Sequence, residues 1–395
     1  MKINHCYVML LTMFLLSVLI VGCQKIVNSP NEQELYSLQT QTQTQTATTE
    51  LDSKTSQNLI PDNEHPSTIT IKGVEYSTSL TSLDLSGLGL SDKDIVSLRY
   101  MTDLTVLDLN GNMVSEISAL SSLKKLEELY LFSNQINDVS PLSGLSSLRI
   151  LLLRNNHISD ISPLAGLTNL ESLRLEENSI TSIALLSGFV NLKVLEVEGI
   201  CDISVLAELK GLKHLRLDYG SISDISALAE LENLESLSLY GNEISDISPL
   251  SCLNNLKELG LSNNQISDIT PLSSLVNLNS LSLGDGLLCS ENTGNFISDI
   301  SPLAGLANLT SLSLCSNQIS DISPLSSLVN LEFLEICSNE ISDISALSSL
   351  MNLECLWIED NPIADWSPTA HIESVVGRHI AEVDIEDTLT KDRLY

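Results

Sequence analysis

Ten aspartates, Asp138, Asp160, Asp202, Asp224, Asp246, Asp268, Asp299, Asp321, Asp343 and Asp365, recur at matching places along the 395-residue chain. Carboxylates stacked one strand apart, ~5 Å, could bind calcium, but one donor per layer falls short of the 6 to 8 oxygens that ion takes. They could instead each accept a backbone N–H where a turn begins, tolerating ~0.8 kcal/mol of repulsion per neighbouring pair in water before screening, and this is the expected role. The six histidines, His5, His65, His157, His214, His371 and His379, have no nucleophile or carboxylate placed to complete a triad. No P-loop, H-E-x-x-H or G-x-S-x-G is present. The reading is therefore no enzyme, no cofactor and no metal. Of eight cysteines, none form a C-x-x-C pair, which leaves zinc-ribbon and redox readings unsupported. Cys315 and Cys337 stand at matching places 22 residues apart, so a disulfide is open to them if the chain is exported, although neighbouring parallel strands offer a slightly long Cβ spacing.

What must position such residues is a repeat. Units begin at Leu80, Leu104, Leu126, Leu148, Leu170, Leu192, Leu212, Leu234, Leu256, Leu278, Leu309, Leu331 and Leu353, most of them 22 residues long. In the unit from Leu256, Leu259 and Leu261 alternate with Glu258, Gly260 and Ser262, a period of two that predicts a short strand with its leucines inward. Asn264 is expected to turn the chain, its side-chain amide satisfying backbone groups that water does not reach. Thr270-Pro271, or Ser-Pro in sibling units, reads as an N-cap and first helical position of a short return turn. One such coil is too small to own a core; stacked coils share their faces and make a continuous one.

This pattern resembles the leucine-rich repeat, L-x-x-L-x-L-x-x-N-x-I, in the 22-residue form of the internalin family of bacterial surface proteins, over about 285 of the 395 residues. The resemblance implies an α/β solenoid, a right-handed coil with a parallel β-sheet on its concave face and short 3₁₀ or helical turns on its convex face. Internalins bind host receptors through the concave face, so it also implies an adhesin-like, non-enzymatic recognition module. The chain departs from internalins in lacking an L-P-x-T-G sorting end and a long domain after the repeats.

Specificity must then lie in the three outward strand positions of each coil. These hold Tyr130, Phe132, Tyr240, Phe333 and Trp357, five of the chain's fifteen aromatics, and rings suit a protein-binding surface because they bring contact area at little entropic cost. Ile150, Arg154, Arg174, His214 and Arg216 complete the candidate partner-binding set. Arg154 lies beside Glu176, Arg174 beside Glu196 and Glu196 beside Arg216 on successive strands, which favours ordinary cross-strand pairing. The units from Leu256 to Leu309 show mostly Ser and Gly, an inert stretch between two contact zones. The unit from Leu192 is short, lacking the Asn step. The unit from Leu278 is long, with an insertion at 284–296.

The ends set the compartment. Lys2, the apolar run from Cys6 to Gly22 and the junction Ile20-Val21-Gly22-Cys23 read as a lipoprotein signal peptide, 1–22, with Cys23 as the lipid attachment site. Residues 23–67, with QTQTQTQTATTE, cannot bury enough surface to order themselves and read as a tether. Residues 68–103 read as an N-terminal cap and first repeat, 104–363 as repeats, and 364–395 as a C-terminal cap and tail. A net charge of −32 disfavours nucleic acid and anionic lipid surfaces, which are bound by basic residues. The expectation is a monomer held to a membrane through its N-terminal lipid on the cell envelope, recognising a protein partner. A glycan- or peptide-binding lipoprotein and a scaffold subunit of an envelope complex remain open beside it.

Overall fold

The computed structural model describes residues 65–284 and 294–377. The signal peptide, Cys23, most of the tether, Cys289 with most of the insertion, His379 and the tail lie outside the described residues. Within them the expected architecture is present: a right-handed solenoid whose parallel sheet has 14 strands in chain order. The strands are β3 (Ser82–Asp84), β4 (Val106–Asp108), β5 (Glu128–Tyr130), β6 (Ile150–Leu152), β7 (Ser172–Arg174), β8 (Val194–Glu196) and β9 (His214–Arg216). They continue through β10 (Ser236–Ser238), β11 (Glu258–Gly260), β12 (Ser280–Ser282), β13 (Ser311–Ser313), β14 (Phe333–Glu335), β15 (Cys355–Trp357) and β16 (Ser374–Val376). Thirteen unit starts are legible in the sequence; β16 adds a fourteenth strand, pairing Val375 with Leu356 after the leucine signature has ended.

Each coil closes by the same local physics. Leu256, Leu261, Ile266, Leu272 and Leu275 are completely buried, in one continuous core that runs along the stack. The return stroke is a 3₁₀ turn such as Thr270–Ser274, with Leu272 N–H donating to Ile269 at 3.0 Å. Here the expected capping needs correction. Thr270 is the first residue of the turn and makes no cap bond. The capping oxygen belongs to Asp268, whose Oδ1 accepts the Thr270 N–H at 2.8 Å. The same bond recurs at all ten aspartates of the row. Each of them therefore serves its own turn.

A second correction concerns the turn after the strand. The left-handed backbone step falls one residue before the asparagine, at Ser133, Asn155, Glu177, Asn263, Ser316, Ser338, Asp360, Gly111 and Gly241, and at the equivalent Gly199 and Tyr219 in the two units without it. The asparagine that follows is a stitch between coils. Asn264 donates to Leu239 and Leu261 at 2.9 and 3.1 Å and accepts the Ile244 N–H at 3.0 Å. This ladder is interrupted in the units from Leu192 and Leu212. In the latter, Gly220 replaces Asn, and a Cβ there would stand 2.1 Å from the Ile200 carbonyl oxygen.

At the N-terminal end, a hairpin of β1 (Thr68–Ile71) and β2 (Val74–Ser77) buries Ile69 and Ile71 in the core. The first coil carries a short helix, α1 (Asp92–Ile95), running into a 3₁₀ turn. At the other end Trp366 packs against the core ahead of β16.

Candidate functional site

All ten sequence-selected partner-binding residues lie on the sheet face and are half-buried, each side chain lying partly against its neighbours while keeping some surface. Tyr130 and Phe132 leave β5 on the same side. The Tyr130 hydroxyl donates to Glu128 Oε2 at 2.7 Å, and the Phe132 N–H donates to Asn110 Oδ1 at 2.7 Å. The Arg154 guanidinium covers the Phe132 ring at 5.6 Å, a cation–π contact that holds both in place. Ile150 and Leu152 sit in register with Glu128 and Tyr130 and complete this patch.

Beyond it the face becomes charged. Arg174, Glu196 and Arg216 are in register on β7, β8 and β9, and Arg174 Nε lies 3.4 Å from Glu196. Arg154 meets Glu177, with Nε to Oε1 at 3.1 Å, in addition to neighbouring Glu176. The sequence could not offer Glu177, because only the left-handed step at that residue swings its side chain toward Arg154. Arg216 donates to Asp218 at 2.6 Å, and Asp218 is itself almost wholly buried, accepting the Tyr240 N–H and the Ser238 hydroxyl. Glu176 is also buried, at 2% exposure. Loss of solvent and the facing Glu196 carboxylate push its pKa well above the ordinary value, while hydrogen bonding to Glu176 and nearby arginines hold Glu196 low.

Tyr219 is a functional candidate that strand alternation misses. It occupies the left-handed position, is exposed, and meets Tyr240 edge to face with ring centroids 5.1 Å apart. His214 stands in register between Val194 and Ser236. From β11 to β13 the face is Ser and Gly apart from Glu258, as expected. It regains aromatic character at Phe333 and at Trp357, whose buried Nε1 has no hydrogen-bond partner among the described residues. Cys315 and Cys337 form a disulfide between adjacent coils with Cα atoms 4.6 Å apart, closer than the in-register spacing anticipated, and both are buried. Cys201 and Cys252 are free and exposed.

At the other end of the face Asp84 and Asp108 are in register, and burial, reinforced by the Asp84 charge, raises Asp108 to about 6. Along the strand starts, Lys213 and Lys257 both hold Glu235, at 2.9 and 2.6 Å, an exposed ion ladder outside the sheet face. Among the described residues no group of three or more His, Cys, Asp or Glu side chains is arranged to hold a metal ion.

Family models agree with this geometry. Leucine Rich repeats (2 copies) matches residues 102–144, 124–166, 146–187, 286–327 and 329–369, Leucine rich repeat matches 210–266 and Leucine Rich Repeat matches 255–278, together more than half of the chain. Among solved structures, the chain is similar to the internalin InlF of Listeria monocytogenes, at 35% identity and a TM-score of 0.58, covering 77% of this chain and 89% of that one. A leucine-rich repeat protein of Leptospira interrogans matches at 25% identity and a TM-score of 0.62, covering 71% and 74%. The functional domain of InlJ from Listeria monocytogenes, which includes a cysteine ladder, shares the fold at 21% identity and a TM-score of 0.57, covering 75% and 72%. No curated protein matches the chain significantly.

Proposed function

This chain belongs to the leucine-rich repeat family and is internalin-like in its repeats, and we propose that it is an adhesin-like recognition protein whose concave sheet face holds a protein partner. The fold is commonly used for protein–protein binding, and proteins built on it are typically non-enzymatic interaction modules. The observation that carries the reading is the ordered patch of Tyr130, Phe132 and Arg154, in which the Phe132 ring and the Arg154 guanidinium are fixed against each other beside Ile150 and Leu152. Such pre-ordered aromatic and arginine side chains lose little entropy on binding and dominate interface energetics. Arg174, His214, Arg216 and Tyr240 extend the surface toward Phe333 and Trp357. We place the protein on the bacterial cell envelope as a monomer, exported by its N-terminal segment and held through lipid on Cys23. Radioactive palmitate incorporated by wild type and lost in Cys23→Ser supports that anchor; an unlabelled wild type removes it.

The test of the face is a pull-down from envelope and host extracts with the wild type and with Tyr130→Ala plus Phe132→Ala, alongside a glycan array. Capture of a protein by the wild type and its loss in the double variant support the reading. Undiminished capture refutes it, and binding confined to glycans replaces it with an envelope sugar-binding role.

A further inference from the structure

We propose that the cleft between the N-terminal hairpin and the first coil is a binding site for an organic phosphomonoester. None of its residues belongs to the parallel sheet, so it stands or falls independently of the sheet-face reading above.

The cleft has a volume of about 430 Å³ and is lined by Lys72 from the hairpin, Lys93 and Asp94 from α1, and Val96, Arg99 and Tyr100 from the 3₁₀ turn that follows. That size lies within the ~300 to 1,000 Å³ of small-molecule sites. Its charge sets it apart from the rest of a chain of net charge −32. Among the described residues, every Lys and Arg is in an ion pair with a carboxylate except Lys93, Arg99 and Lys124. Two of those three line this one cleft.

The carboxylates nearby are already engaged elsewhere. Asp94 takes Lys72 at 3.2 Å, together with the Ser91 N–H and hydroxyl. Asp92 accepts the Ser115 and Glu116 N–H groups, and Asp103 holds Lys125. The Lys72–Asp94 pair cancels, so Lys93 and Arg99 leave two positive charges uncompensated. Arg99 is also oriented. Its Nε donates to the Val96 carbonyl within the same turn at 2.9 Å, which fixes the plane of the guanidinium and leaves both Nη groups without a partner among the described residues. A guanidinium edge of that kind matches the oxygens of a carboxylate or a phosphate.

Charge decides between the two. A carboxylate balances only one of the surplus cations, whereas a phosphomonoester, at about −1.5 to −2 near neutral pH, balances both. Val96 and Tyr100, 44% and 38% exposed, give the same cleft an apolar side chain and a ring for the organic part of the guest, the mixture that small-molecule sites use. The acidic surface elsewhere repels such an anion and leaves this end to attract it.

The test is calorimetric titration of the full chain at low salt with two phosphomonoesters, glucose 6-phosphate and the water-soluble dihexanoyl phosphatidic acid. Glucose, glucuronate and inorganic phosphate are the comparisons. At least one phosphomonoester is expected to bind, at least tenfold more tightly than any comparison and more weakly as salt is added. The tighter of the two assigns the source, a free sugar phosphate or a lipid headgroup. Lys93→Gln plus Arg99→Gln should weaken this binding at least tenfold. Lys124→Gln plus Lys125→Gln, the same loss of two exposed charges on the next coil, should stay within twofold of wild type. Melting curves of both variants show that they fold. Failure of both phosphomonoesters to bind, glucuronate or inorganic phosphate bound as tightly as the better of them, or equal weakening by the two double variants overturns the site.

Discussion

Asn264 accepts the backbone N–H of Ile244 from the preceding coil at 3.0 Å, while its Nδ2 donates to Leu239, 25 residues earlier, at 2.9 Å. One side chain thus satisfies buried polar groups on two coils. Asn264→Ala should lower unfolding stability by about 2 to 4 kcal/mol, because several buried groups lose their partners together. Asn255, exposed and donating to the Glu232 carbonyl at 2.9 Å, is the comparison. Asn255→Ala should cost under ~1 kcal/mol, and equal costs in urea denaturation would count against the stitching role.

Gly220 stands where other coils carry that asparagine, and added bulk would drive into the Ile200 carbonyl. Gly220→Ala should destabilise by about 1 to 3 kcal/mol through forced backbone movement. Gly305, with open space around its Cβ position, should accept alanine with a change of under ~0.5 kcal/mol. Thermal melts of the two variants decide between a packing requirement and a general glycine effect.

Asp108 gives the sheet face a pH dependence. Its folded pKa of about 6 lies above the ordinary 3.8, so between those values the folded chain keeps a proton that the unfolded chain has lost. Stability contributed by this site falls as pH rises through that window, and the full cost is present above about 6. Asp108→Asn should therefore be more stable than wild type by about 1 to 2 kcal/mol at neutral pH, after allowance for screening, and equal to it near pH 3.5. A gain that persists at the acidic end would contradict the assignment.

Glu235 carries the opposite sign. Lys257 and Lys213 hold it at about 2 against an ordinary 4.5, so its stabilisation is complete above pH 4.5 and disappears as pH falls toward 2. The ladder is exposed, and Glu235→Gln should cost under ~1 kcal/mol at low salt and nothing measurable in 1 M salt. A salt-independent loss would point to packing instead.

Cys315 and Cys337 close a loop with a sequence separation of 22. Removing the link by Cys315→Ala plus Cys337→Ala should lower stability by about 3 kcal/mol under oxidising conditions, with no difference once reductant is present. Alkylation of the denatured, unreduced chain should leave both residues unmodified; their free alkylation would refute the bridge.

Read alone, the sequence determined the solenoid, because a fixed spacing of Leu and Ile dictates which side of each short segment is buried. Leu259 and Leu261, Ile266 and Ile269 could be assigned inward before any contact was known. The aspartate row was legible for the same reason, as each Asp bonds a residue only two places on. The choice of partners across coils was decided by the tertiary structure. Arg154 turns to Glu177, Tyr219 meets Tyr240, and Glu176 sinks from an outward position into burial. These outcomes depend on the left-handed step of each turn and on side chains a whole coil away, where spacing along the chain no longer fixes direction.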